Sequence, residues 1–108
     1  MHGFRERRGG RKLDGVIFLV ERYLPGMDGG ELERALERLK KATVELQTGG
    51  VEVRYLGSTI VPEDEACFCQ FEGPSEELVA EVNRKAGIRF DRIVTAVAVA
   101  PAGAKSGG

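Results

Sequence analysis

Cys67 and Cys69, one residue apart in the stretch ACFCQFE, are the chain's whole thiol content. Such a pair can form a bridge, clamp a soft metal ion or fill space, and the backbone beneath it decides which. On a β-strand, residues two apart share a face, with Cα atoms about 6.7 Å apart and parallel Cβ vectors. That is poor geometry for a disulfide. Structural thiolate sites usually supply four ligands, and the sequence adds only one imidazole, His2, near the N-terminus. No complete zinc or copper site and no other metal ligand set is visible. Free cysteine is among the most buried residue types, so the pair is read as small packing residues beneath a helix.

A second set of residues suits ligand chemistry. Glu21, Tyr23, Arg54, Gln70 and Glu72 fall in strand-like segments on one alternation parity. An arginine fork there can hold a ligand's carboxylate or enolate, and a carboxylate raised in pKa by burial can move a proton. In that reading Glu21 is the base and Tyr23 a hydrogen-bond donor. The competing reading makes Arg54 and Glu72 a cross-strand ion pair. The acidic turn Glu63, Asp64 and Glu65 lacks the ligand spacing of a calcium loop and reads as solvated. The glycines of LPGMDGG have no phosphate-binding fingerprint around them and read as turn residues.

Six elements are needed to position these residues. GVIFLVERYL (15–24) is a β-branched, aromatic run of strand length, closed by the turn signal PGMDGG. From Glu31 to Leu46 the apolar residues recur at helical spacing, with Asp28 as the cap and Gly49-Gly50 as the stop. VEVRYLGSTIV (51–61) and ACFCQFE (66–72) form a hairpin through Pro62 and the acidic turn. A shorter helix follows, with Ser75 as N-cap, Leu78, Val79, Val82 and Ala86 as its buried stripe and Gly87 as terminator. DRIVTAVAVA (91–100) is the last strand.

The order βαββαβ predicts the α+β ferredoxin-like arrangement, a four-stranded antiparallel sheet with two helices on one face and strand 1 beside strand 3 in the centre. Period-2 sorting puts Phe18, Val20, Val53, Tyr55, Cys67, Cys69 and Phe71 under the helices, together with Val16, Val51, Ile93, Val97 and Val99. The other face, which also takes Ser58 and Ala98, mixes charge with an apolar band of Ile17, Leu19, Leu56, Phe68, Val94 and Ala96. That band is too large to leave open to water. Its simplest cover is the same face of a second copy, which makes a homodimeric α/β-barrel with a partly polar interior.

With 108 residues, 42% hydrophobic and 31% charged, the chain fits one domain of ordinary composition, running over 15–100. Residues 1–14 form a basic, Gly-rich arm and 101–108 a tail; both read as solvated termini. No apolar run approaches the roughly 20 residues of a membrane span, and the charged opening is unlike a secretory signal. The expected location is the cytoplasm, with reduced thiols. RNA-recognition modules of this fold need basic and aromatic residues on strand 3. Here that strand begins EDEA in an acidic domain, so no nucleic-acid partner is expected.

LVERYLPGM, VRYLGSTIVPEDEACFCQFEGPS and VNRKAGIRFDRIV resemble a bacterial domain-of-unknown-function family of dimeric ferredoxin-like α/β-barrel proteins, related to a nickel-binding protein. The resemblance implies the βαββαβ fold, sheet-to-sheet dimerisation and binding of a divalent metal, nickel by relation, or a small molecule. Where the nickel-binding relative carries histidines, this chain has Asn83 and Arg84. The expectation is a small homodimeric binding protein holding its ligand between the sheets. The alternative is a cofactor-independent enzyme, of monooxygenase or isomerase type, using Glu21 and Arg54 in the barrel.

Overall fold

The computed structural model describes residues 16–97 and Val99. The basic arm 1–14, the tail 101–108 and the side chain of Ala98 lie outside the described residues. The elements are β1 (Val16–Tyr23), α1 (Gly29–Thr48), β2 (Arg54–Val61), β3 (Ala66–Gly73), α2 (Glu76–Ala86) and β4 (Arg92–Ala96), with a 3-10 turn at Pro62–Asp64. All strand pairs are antiparallel and the spatial order is β2-β3-β1-β4. This is the ferredoxin-like arrangement expected from the element order, with β1 and β3 central. Among the described residues no helix is long and apolar enough to cross a membrane.

Local chemistry explains the helix limits. Asp28 accepts from the Glu31 amide at 2.8 Å while the Glu31 carboxylate accepts from the Asp28 amide at 3.1 Å, a reciprocal capping box at the start of α1. Ser75 Oγ accepts from the Leu78 amide at 3.2 Å to open α2. Gly87 closes it in the left-handed region, with φ of 74°. Both helices lie on one face of the sheet. Leu39 and Ala42 of α1 and Val79 and Val82 of α2 pack there against Phe18, Val20, Val53 and Phe71.

Two expectations about this face need correction. Val97 and Val99 are 54% and 83% exposed, not buried. The cause is the partner strand: β4 pairs only with β1, and the ladder reaches Ile17↔Ala96 with a single β1 residue, Val16, beyond it. The second correction is in β2. Its pairing with β3 runs Tyr55↔Phe71 and then Gly57↔Gln70, so Leu56 is an extra residue. This β-bulge reverses the alternation beyond it. Ser58, expected on the open face, is paired with Cys69 on the helix side, and Thr59 takes the open side opposite Phe68.

The bulge depends on Gly57, whose φ is 139°. A Cβ at this position would meet no atom within 4 Å, so a substitution there is resisted by the backbone alone. Gly57→Ala is expected to lower stability by about 1–3 kcal/mol in urea denaturation. A variant as stable as the parent would mean that β2 runs without the bulge.

Candidate functional site

On the open face the apolar centre is formed by Ile17 and Leu19 of β1, Phe68 of β3 and Val94 and Ala96 of β4, all half-buried. Charge pairs stand on either side of it. Arg92 donates to both oxygens of Glu21, at 2.8 and 3.3 Å. Arg54 Nη1 donates to Glu72 Oε1 at 2.9 Å, the cross-strand ion pair that the register Arg54↔Glu72 requires. Gln70 is exposed between Leu19 and Gly57, and Tyr23 is exposed at the far end of β1.

Glu21 and Arg54 are not brought together within one protomer. They sit four residues apart along the ladder rows and two strands apart across them. That is about 13 Å by about 10 Å. Each is neutralised by its own partner.

The helix face holds a polar network of a different kind. Arg22 continues the parity of Phe18 and Val20, so its side chain enters the core and is 1% exposed. Its Nη2 donates to Asn83 Oδ1 at 2.7 Å and its Nη1 to the Arg89 carbonyl at 3.2 Å. Asn83, itself fully buried, donates to the Val79 carbonyl at 2.8 Å. Across the strand from Arg22 lies Cys67. The Cys67 and Cys69 sulfurs are 3.7 Å apart. Ser58 Oγ is 2.9 Å from Cys69 Sγ and is hydrogen-bonded in turn to the Tyr55 hydroxyl. A groove of about 470 Å³ between α1 and β2, lined by Lys40, Thr43, Gln47, Tyr55 and Gly57 among others, ends on that tyrosine.

The two thiols are therefore buried, as packing requires, yet their surroundings are not those of inert packing. Cys69 is held below the ordinary thiol range, at about 6, first by the hydrogen bond from Cys67 and then by the Arg22 charge and the Ser58 hydroxyl, against the opposing effect of burial. Cys67 moves upward, first through the same hydrogen bond and then through burial and the charge on Cys69. The proton shared in their hydrogen bond drives the pKa values of the two thiols apart. Tyr55 is raised, chiefly by burial.

Sequence reasoning missed Arg22, Asn83 and Ser58 as members of this network. For the first two a signal was present: Arg22 lies on the apolar parity of β1, and Asn83 is four residues after Val79 on the buried stripe of α2. A charged residue on an otherwise buried face is itself the anomaly. Ser58 had no such signal, because an inserted residue in a strand leaves no periodic mark of its own.

The shared proton has a consequence for stability. In the unfolded chain both thiols titrate near about pH 8.5. Cys69, depressed by folding, adds stability that is present above that value and is lost as pH falls through about 6. Cys67, raised by folding, adds stability that is present below the unfolded value and is lost as pH climbs beyond it. The pair's contribution thus peaks near about pH 8.5. Urea midpoints of the parent should rise from pH 6 to 8.5 relative to Cys69→Ser; parallel profiles would show that Cys69 keeps its proton.

The fold and this network can now be set beside known proteins. No curated protein matches the chain. Among solved structures it is similar to SCO4226 from Streptomyces coelicolor A3(2), at 24% identity and a TM-score of 0.59, over 78% of this chain and 99% of that one. At this identity the likeness speaks for the fold. The family described as nickel responsive protein SCO4226-like matches residues 18–95, which take in both helices, the hairpin with its bulge and the thiol pair. By that match the chain belongs to the SCO4226-like family of nickel responsive proteins.

Proposed function

We propose that the protein is a small homodimeric binding protein that pairs the open sheet faces of two copies and holds a small organic molecule between them. The observation that carries this reading is the apolar centre of the open face, flanked by two ion pairs, with both helices on the other side of the sheet. A face of this kind gains most from burial against an equal face, because every copy brings the same complement. Neutral ion pairs at the sides lower the desolvation cost of closing it.

The ligand walls in this reading are Glu21, Tyr23, Arg54, Gln70 and Glu72, contributed by both copies. Since Glu21 and Arg54 are far apart in one protomer, a twofold partner is what supplies the second half of the site. Arg54 and Arg92, whose side chains are 68% and 66% exposed, can each turn a guanidinium edge towards a ligand carboxylate. The family's response to nickel enters here as a second ligand class. Among the described residues no three metal-ligating side chains converge, so nickel between the sheets would draw on carboxylates from both copies. Oxygen donors alone suit nickel less well than imidazole, which favours the organic ligand. Glu21, gripped by both nitrogens of the Arg92 fork, is poorly placed to act as a free base, which favours binding over catalysis.

Light scattering of the purified protein should report a dimer. Leu19→Arg, at the centre of the open face, is expected to weaken it at least about 100-fold, because a buried unpaired charge costs several kcal/mol. Val44→Arg, on an exposed position of α1, should leave it intact. Native mass spectrometry of the parent should reveal a retained organic molecule. A monomeric parent would remove the reading.

A further inference from the structure

The helix side of the sheet holds a buried charge with no carboxylate to balance it. Among the described residues no carboxylate forms an ion pair with Arg22. Both of its hydrogen-bond acceptors are neutral. Its Nε is buried and has no partner among the described residues. Asp91, whose carboxyl feels this charge, is exposed and engaged by Arg89 and by the Tyr23 amide. A buried, incompletely paired guanidinium marks a place where negative charge is wanted. The groups facing it from β3 are Cys67, its cross-strand neighbour, and Cys69; from β2 come Ser58 and Tyr55, and from α2 the uncharged Asn83.

The geometry points to a two-coordinate site for a monovalent soft metal ion of the copper(I) class between Cys67 Sγ and Cys69 Sγ, with the Arg22 guanidinium as its counter-charge. Thiolate sulfur is the donor that selects such ions over harder ones. Metal–sulfur bonds of about 2.3 Å would span the observed 3.7 Å at a bent angle of about 107°, and the near-linear arrangement that two-coordinate ions of this class prefer requires the two sulfurs to rotate apart by about 1 Å on binding. Two donors are too few for zinc or nickel, and among the described residues no third His, Cys, Asp or Glu joins them.

Charge decides between ions more sharply than donor number does. When a monovalent ion enters, it bonds to both sulfurs in place of the protons they hold, which leave to solvent. The product, a metal held by two thiolates, carries one negative charge, which the Arg22 guanidinium cancels. No electron is transferred, and the buried cluster is neutral. A divalent ion in the same place would leave one uncompensated positive charge in the core. The hydrogen-bonded chain from Cys69 through Ser58 to Tyr55, which lines the groove between α1 and β2, gives displaced protons a route out. This site lies across the sheet from the proposed dimer face and stands or falls independently of it.

The test uses the full chain carrying His2→Ala, reduced and kept free of oxygen, titrated with copper(I) against a coloured copper(I) chelator. The expected result is one ion per chain, with two sulfur neighbours and no nitrogen by X-ray absorption. Affinity should rise with pH, because thiolate binding releases protons. Cys69→Ser should weaken binding at least 100-fold. Arg22→Met should weaken copper(I) while strengthening zinc(II) relative to it, a change of preference that a merely structural role would not produce. If either variant fails to fold, the stoichiometry and the sulfur coordination of the His2→Ala chain decide. A folded, reduced chain that cannot compete with the chelator, that binds copper through nitrogen or oxygen, or that takes nickel(II) as tightly as copper(I) at the thiols overturns the assignment.

Discussion

A guanidinium removed from water sets terms that much of this molecule meets. Arg22 is the largest fully buried side chain in the domain. Taking one partner from a buried, hydrogen-bonded charge typically costs about 3–5 kcal/mol, a sizeable share of a small domain's stability. Its acceptors come from two places distant in sequence, Asn83 on α2 and the Arg89 carbonyl in the segment after α2. Docking α2 is therefore a condition for burying the end of β1, in addition to a source of apolar contact. The same segment is pinned to β1 from outside, where Arg89 donates to the Tyr23 carbonyl and Asp91 accepts from the Tyr23 amide. These bonds bring Arg92 to the Glu21 rung at the start of β4.

That charge also explains why two cysteines in a core differ from two alanines. In an apolar pocket burial alone would raise both thiols. Here the hydrogen bond between them splits the pair, one sulfur driven down and the other up, and Arg22 and the Ser58 hydroxyl lower Cys69 further. The Ser58 share needs the bulge at Leu56, because only the inserted residue turns Ser58 towards Cys69. One extra residue in an edge strand thus alters the chemistry of the strand beside it.

The architecture was legible because it rests on repeated signals. Helical spacing, the caps Asp28 and Ser75, the stop at Gly87 and the order of elements each point to the same fold, and they support one another. Burial of Cys67 and Cys69 follows from the same period-2 sorting. The thiol network was not legible, because it depends on single departures from those periods. An arginine stands on the apolar parity of β1, an asparagine stands on the buried stripe of α2, and a bulge shifts half of β2 by one residue. Averaging over a window, which finds strands and helices, hides such departures. The charged residues of the open face were found by parity, but their pairing was fixed only by register: Arg54 meets Glu72, and Glu21 meets Arg92 from the far edge.

The two faces of the sheet treat charge in opposite ways, and this separates what each can do. On the open face each described cation has a carboxylate within hydrogen-bonding reach, so the surface is locally neutral around its apolar centre. Under the helices the cation has no carboxylate among the described residues, so its field falls on the most polarisable atoms at hand, the two sulfurs. A neutralised surface favours binding by shape and burial. An unbalanced charge in a low-dielectric interior favours whatever brings the missing charge, and a pair of ionisable thiols is the group this chain places there.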